Sequence, residues 1–189
     1  VDGATTSFPV DQEIFYGLAA EIKEDVTLAG CDTLLAATPQ DAGESVAATS
    51  TPRDNDPRHT LAVVDSRGRL KAWSYWKAQP FWNDWISLTT PQTPQSYRDV
   101  TTREAIANFT SGDKHVDLED CLQHLQKDYG AETIRLESGG TLNGAMLRAG
   151  LVTEIHLLIH PVLVGIHENS FSGQLDAERN IALTQTDHQ

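Results

Sequence analysis

Short apolar runs separated by segments of helical spacing are the feature that most restricts this chain. The runs fall at residues 25–29, 60–64, 85–89, 132–136, 154–159 and 181–184. Each is strand-sized and too short for a helix or a membrane span. Between them, residues 118–129 place Leu118, Cys121, Leu122, Leu125 and Tyr129 on one helical face. Asp117 suits the start of that helix, Asp120 its first turn and Gly130 its end. A second helix is predicted over 11–24, with Ile14, Phe15, Leu18 and Ile22 on one side. Strands alternating with helices predict an α/β fold, with a mainly parallel central sheet flanked by helices.

The punctuation of the chain supports a single domain over residues 1–189. Residues 38–58 carry prolines, glycine and aspartates with little apolar content, and read as a mobile loop on that domain. Residues 89–95, with two prolines, read as a shorter turn. The opening Val1-Asp2-Gly3 has no hydrophobic strand before it, so an N-terminal segment is expected to be missing ahead of it. No internal repeat is visible.

The richest chemistry lies where the strand at 133–136 meets the helix predicted over 141–149, through Glu137, Ser138, Gly139 and Gly140. Leu142, Ala145, Met146 and Ala149 give that helix an apolar face, and Gly150 ends it. Adjacent glycines let a backbone approach a diphosphate closely, and a helix N-terminus adds about half a positive charge there. Ser138 or Thr141 adds a hydroxyl donor. The pattern is not the full GxGxxG fingerprint, so two readings stand on this turn alone: a tight turn without a ligand, or a phosphate cradle.

The stretch Glu137-Ser138-Gly139-Gly140-Thr141-Leu142-Asn143-Gly144-Ala145-Met146-Leu147-Arg148-Ala149-Gly150-Leu151-Val152, then Glu154-Ile155 and His160-Pro161-Val162-Leu163-Val164-Gly165, closely resembles the reductase domain of riboflavin biosynthesis. Asp2-Gly3, Leu28-Ala29-Gly30 with Thr33, and Val64-Asp65-Ser66 with Arg69 follow in family order. The resemblance implies a dihydrofolate-reductase-like fold. It further implies NADPH-dependent reduction of a 5-amino-6-ribosylamino-pyrimidine 5′-phosphate to its ribitylamino form. On that basis Thr33, Asp65, Ser66, Ser138, Gly139, Gly140, Thr141 and Leu142 are expected on the cofactor. Asp2 and Glu137 are expected at the reacting sugar, where a carboxylate orients hydroxyls or moves a proton. Asp65 also precedes Ser66-Arg67-Gly68, a good turn in its own right. The family often carries Lys or Arg after the Asp-Gly pair, whereas Ala4 stands here. Arg69, Lys71 or Arg53 could supply the missing cation for a substrate phosphate. Two rivals therefore stay open: a reductase of another heterocycle, and a catalytically silent nucleotide-binding protein.

Charge and the remaining motifs narrow the partners. With 14 Lys plus Arg against 27 Asp plus Glu, the net charge of −13 repels phosphate backbones and anionic membranes, so neither nucleic acid nor membrane is expected. Trp73, Tyr75, Trp76, Phe81, Trp82 and Trp85 have only Lys77 as a basic residue among them and suit a core or a subunit interface, and a homodimer is the expected assembly. Cys31 and Cys121 lack ligand spacing and read as unrelated buried thiols in a reducing cytoplasm. His156 and His160 make no recognisable metal motif, and no metal is expected. The deaminase signature that accompanies fused riboflavin enzymes is absent, so the reductase is expected alone.

Overall fold

The computed structural model describes residues 11–40 and 59–158. Among these residues five strands form one sheet: β1 (Val26–Gly30), β2 (His59–Val64), β3 (Trp82–Thr89), β4 (Ala107–Thr110) and β5 (Ile134–Leu136). All pairings are parallel and the order is β4-β3-β2-β1-β5. A parallel sheet is covered on both faces, which is why its central strands read as unbroken apolar runs. Leu61, Ala62 and Val63 of β2 are all fully buried.

The chain steps from β1 outward to β4 and then returns to place β5 on the other side of β1. That reversal makes the β1/β5 boundary a topological switch point, and ligands of open α/β sheets bind beyond the strand carboxyl ends at such a boundary. The register keeps the ends of β1 and β2 level, with Gly30 opposite Val64, while β5 stops short of them, with Leu136 opposite Leu28.

Helices divide the buried surface into two cores. On one face Val26, Leu28, Ala62, Ile86 and Leu88 pack against Cys121 and Leu125 of α5 (Leu118–Tyr129) and Leu142 and Met146 of α6 (Gly140–Arg148). The expected caps of α5 are present: Asp117 accepts the Asp120 N–H at 3.1 Å, and Gly130 ends the helix at φ 66°. The other face joins Ala29, Leu61, Val63 and Trp85 to Leu34 of α2 (Cys31–Ala37) and to Trp73 and Trp76 of α3 (Trp73–Lys77). Trp73, Trp76 and Trp85 are thus core residues, while Phe81 stands 57% exposed. Val100 of α4 (Gln95–Arg103) borders the same core.

Several expectations need correction. The first helix, α1, runs Gln12–Glu21 within the expected 11–24 but stops short of Ile22, and its apolar residues Ile14, Phe15, Tyr16 and Leu18 are exposed. The strand expected over 154–159 is not formed in its described part, since 151–158 hold no regular element. Leu157 and Leu158 are exposed there, so apolar alternation alone did not find a sheet neighbour. The elements α2, α3, α4 and β4 were not anticipated. Residues 41–58, Asp2 to Ala4, His160 and the strand expected at 181–184 lie outside the described residues. Among the described residues, no helix is long and apolar enough to cross a membrane.

Candidate functional site at the carboxyl edge of the sheet

Beyond the last paired residue of β5, the Glu137 N–H donates to the Leu28 carbonyl at 2.9 Å, carrying the ladder one step further. Ser138 then ties the turn to β1, its Oγ accepting the Gly30 N–H at 3.1 Å. Thr33 completes the lock: its Oγ1 lies 3.3 Å from Ser138 Oγ and accepts the Gly139 N–H at 3.1 Å. From inside α6, Asn143 Nδ2 donates to the Ser138 carbonyl at 2.9 Å.

The glycines in this lock are glycine for different reasons. A Cβ on Gly30 would stand 2.8 Å from Ser138 Oγ, so the β1–turn contact excludes a side chain. Gly139 has an ordinary backbone, φ −76° and ψ 174°, and a Cβ there would meet only Thr33 Oγ1 at 3.9 Å. Neither strain nor crowding within the described residues calls for glycine at 139, and the residue is exposed. Gly139 is the N-cap of α6, and no side chain of the described residues caps that helix. Its first-turn amides therefore open onto the carboxyl edge together with the positive end of the helix dipole. Thr141 is exposed at this opening, while the Leu142 side chain is buried in the core.

Two carboxylates flank the lock. Glu137 Oε2 is held by Arg135 Nη1 at 2.5 Å, and Arg135 Nε and Nη2 both reach Glu24 Oε1 at 2.6 Å. On the far side of β1, Asp65 is 2% exposed, and its Oδ2 accepts the N–H groups of Arg69 at 2.7 Å and Leu70 at 2.9 Å. Those bonds close the turn through Gly68, at φ 65° and pressed against Tyr97. Burial pushes the Cys31 thiol up to about 12, and the neighbouring Asp65 adds to it, so this thiol is a neutral packing group. Ser66 serves the neighbouring loops, its Oγ accepting the Val116 N–H at 3.3 Å and its carbonyl accepting Thr93 Oγ1 at 2.9 Å. Arg69 Nη2 pairs with Asp32 at 2.6 Å on the surface of the same edge.

The residues predicted from sequence thus separate into groups. Thr33, Glu137, Ser138, Gly139, Gly140 and Thr141 come together at the switch point, with Leu142 anchoring the helix behind them. Asp65 and Ser66 end the next strand and are occupied in holding loops. Sequence reasoning missed Gly30, Asn143, Arg135 and Glu24. Arg135 was within reach of it, because residues two apart on a strand share a face with Glu137. Among the described residues, no cluster of His, Cys, Asp and Glu is arranged to hold a metal ion.

The parallel sheet, its switch point and the two helical layers make an open α/β domain, in keeping with the dihydrofolate-reductase-like fold that the resemblance implies. Superposition on Acinetobacter baumannii RibD (form 2) gives a TM-score of 0.60 at 19% identity, over 94% of this chain and 46% of that one. The sequence profile of the RibD C-terminal domain matches residues 6–189, and the chain belongs to that family. It is also 32% identical over 145 residues to the 2,5-diamino-6-ribosylamino-4(3H)-pyrimidinone 5′-phosphate reductase of Methanothermobacter thermautotrophicus. That match takes in 75% of this chain and 61% of the relative, so the chain spans less than two thirds of it.

Proposed function

We propose that this chain is an NADPH-dependent reductase of riboflavin biosynthesis, acting on a 5-amino-6-ribosylamino-pyrimidine 5′-phosphate and forming the ribitylamino product. The observation that carries the reading is the uncapped N-terminus of α6 behind Gly139, at the β1/β5 switch point. A glycine with no internal reason to be glycine, facing open amides, fits the close approach of a diphosphate. Thr33 and Ser138 hold that backbone in place, so the amides are set before the ligand arrives. Bound NADPH supplies a hydride for C1′ of the ribosyl group. Glu137, one-third exposed beside the opening, orients the sugar hydroxyls or moves a proton as the hydride arrives. Asp2 is assigned the partner role at the sugar. Asp65 and Ser66 act on the cofactor by shaping the loop wall beside it.

The same reading makes the protein a homodimer of the reducing cytoplasm, in keeping with two buried free thiols. Titration with NADPH is expected to quench tryptophan fluorescence saturably. NADPH absorbance is then expected to fall when the ribosylamino-pyrimidine phosphate is added. Saturable binding without turnover would identify a silent nucleotide-binding protein instead. Gly140→Asp is expected to abolish NADPH binding in a folded protein, by placing a negative charge at the positive helix end. Normal affinity in that variant would overturn the assignment of the turn.

A further inference from the structure

Glu24 lies far from Glu137 in the chain, and its side chain is only 5% exposed. An ionised carboxylate at such a place is unfavourable unless it is well paired. It is paired through Arg135, whose guanidinium gives Nε and Nη2 to Glu24 and Nη1 to Glu137. Two bonds from one planar group to a single oxygen fix the plane, and with it the direction in which Nη1 points.

The anchor is itself immobilised. Asp25, next in the chain, accepts the Glu132 and Thr133 N–H groups at 2.8 Å each, and its own N–H donates to the Thr133 carbonyl at 2.9 Å. The Thr60 N–H donates to the Asp25 carbonyl at 3.0 Å. The segment entering β1 is therefore stapled to both strands beside it. Thr27 Oγ1 adds a long contact to Glu24 Oε1 at 3.5 Å, and Thr27 is in turn held by Trp82 Nε1 at 3.1 Å. At the other end, Glu137 has a single bonded oxygen. Its Oε1 has no hydrogen-bond partner among the described residues, and the side chain is one-third exposed.

We infer that Glu24 is a positioning residue for the reaction: through Arg135 it sets the orientation of the Glu137 carboxylate toward the substrate sugar. The inference rests on the proposal that Glu137 touches the substrate. A purely structural ion pair would affect stability alone. A positioning device affects turnover, and does so only while Glu137 is present.

The test is a double-variant cycle on the whole chain with Glu24→Gln, Glu137→Gln and the pair, reading NADPH affinity, kcat, KM and urea unfolding. Glu24→Gln is expected to keep NADPH affinity and to lose about 10- to 100-fold in kcat, the scale of a misplaced reacting group. In the Glu137→Gln background the same change is expected to cost no further activity. If Glu24→Gln fails to fold, Glu24→Asp replaces it, since it keeps the charge but withdraws the carboxylate by one methylene. Normal kcat in the folded Glu24 variant, or losses that multiply independently, would overturn the inference while leaving Glu137 in its role. Full activity in Glu137→Gln would instead overturn the parent reading, and the positioning role with it.

Discussion

Asp65 and Glu137 invite comparison because they end the two strands that flank β1, on one edge of one sheet. Asp65 is enclosed, and its bonded oxygen takes backbone N–H groups from the loop that follows it. Glu137 is one-third exposed and is held from behind by a side chain on its own strand. Asp65 builds its own loop through one oxygen, while its other oxygen is buried and has no hydrogen-bond partner among the described residues. Glu137 is gripped on one oxygen by a guanidinium, and its other oxygen has no hydrogen-bond partner among the described residues. On the proposed reading, the carboxyl edge of this sheet has a constructed wall at β2, where the carboxylate is enclosed, and its working side at β5, where the carboxylate is one-third exposed. Two residues that look alike in sequence have different employments, decided by where their donors come from.

Exchange of the two roles is the strongest way to break that contrast. Asp65→Ala leaves two N–H groups without their acceptor and is expected to lower unfolding free energy by about 3 kcal/mol, read from urea melts. NADPH affinity of the fraction still folded is expected to stay near wild type. Glu137→Gln is expected to do the reverse, with stability changed by less than about 1 kcal/mol and kcat lowered about 100-fold. If Asp65→Asn, which keeps an acceptor oxygen, retains stability but loses cofactor affinity, Asp65 is a ligand residue and the contrast fails.

A smaller effect sharpens the boundary between wall and working side. Thr33→Ala removes the acceptor for Gly139 and the neighbour of Ser138, loosening the turn without touching either carboxylate. The expected cost is about 1 kcal/mol in NADPH binding, a roughly fivefold rise in Kd by fluorescence titration. An unchanged Kd would mean that the amides of the turn are held without Thr33.

What could be read in advance follows from the range of the interactions involved. Helix α5 matches its expected limits because its cap, its stop and its apolar spacing all lie within the helix or beside it. The turn at 137–142 was legible for the same reason, since glycines and hydroxyls announce themselves locally. Helix α2 follows β1 directly, with Gly30 as its N-cap and no side-chain cap, so little besides one glycine marks the change. Helix α4 starts behind Pro94 in a segment that reads as a turn, and β4 alternates around Asn108 with only four residues. The contact from Glu24 to Arg135 exists only once the register sets Thr27 opposite Arg135. A parallel pairing of strands so distant in sequence leaves no periodic trace, whereas Arg135 and Glu137 share a face by spacing alone.

His59 supplies the smallest and most specific probe of the network behind Glu137. Its Nε2 lies 3.2 Å from Glu24 Oε1 without the alignment of a hydrogen bond. Burial lowers its pKa below the ordinary 6.5, and Arg135 presses the same way against the pull of Glu24, Glu137 and Asp25. The folded protein therefore binds fewer protons here than the unfolded chain as pH drops through 6.5. Stability from this group is whole above that pH and is lost as pH falls toward the lower folded value. Urea unfolding at pH 7.5 and 5.5 is expected to show a fall in the wild type that is shallower in His59→Gln. An equal or steeper fall in the variant would mean that protonated His59 is accepted by Glu24, making the imidazole a partner of the ion pair and not a bystander.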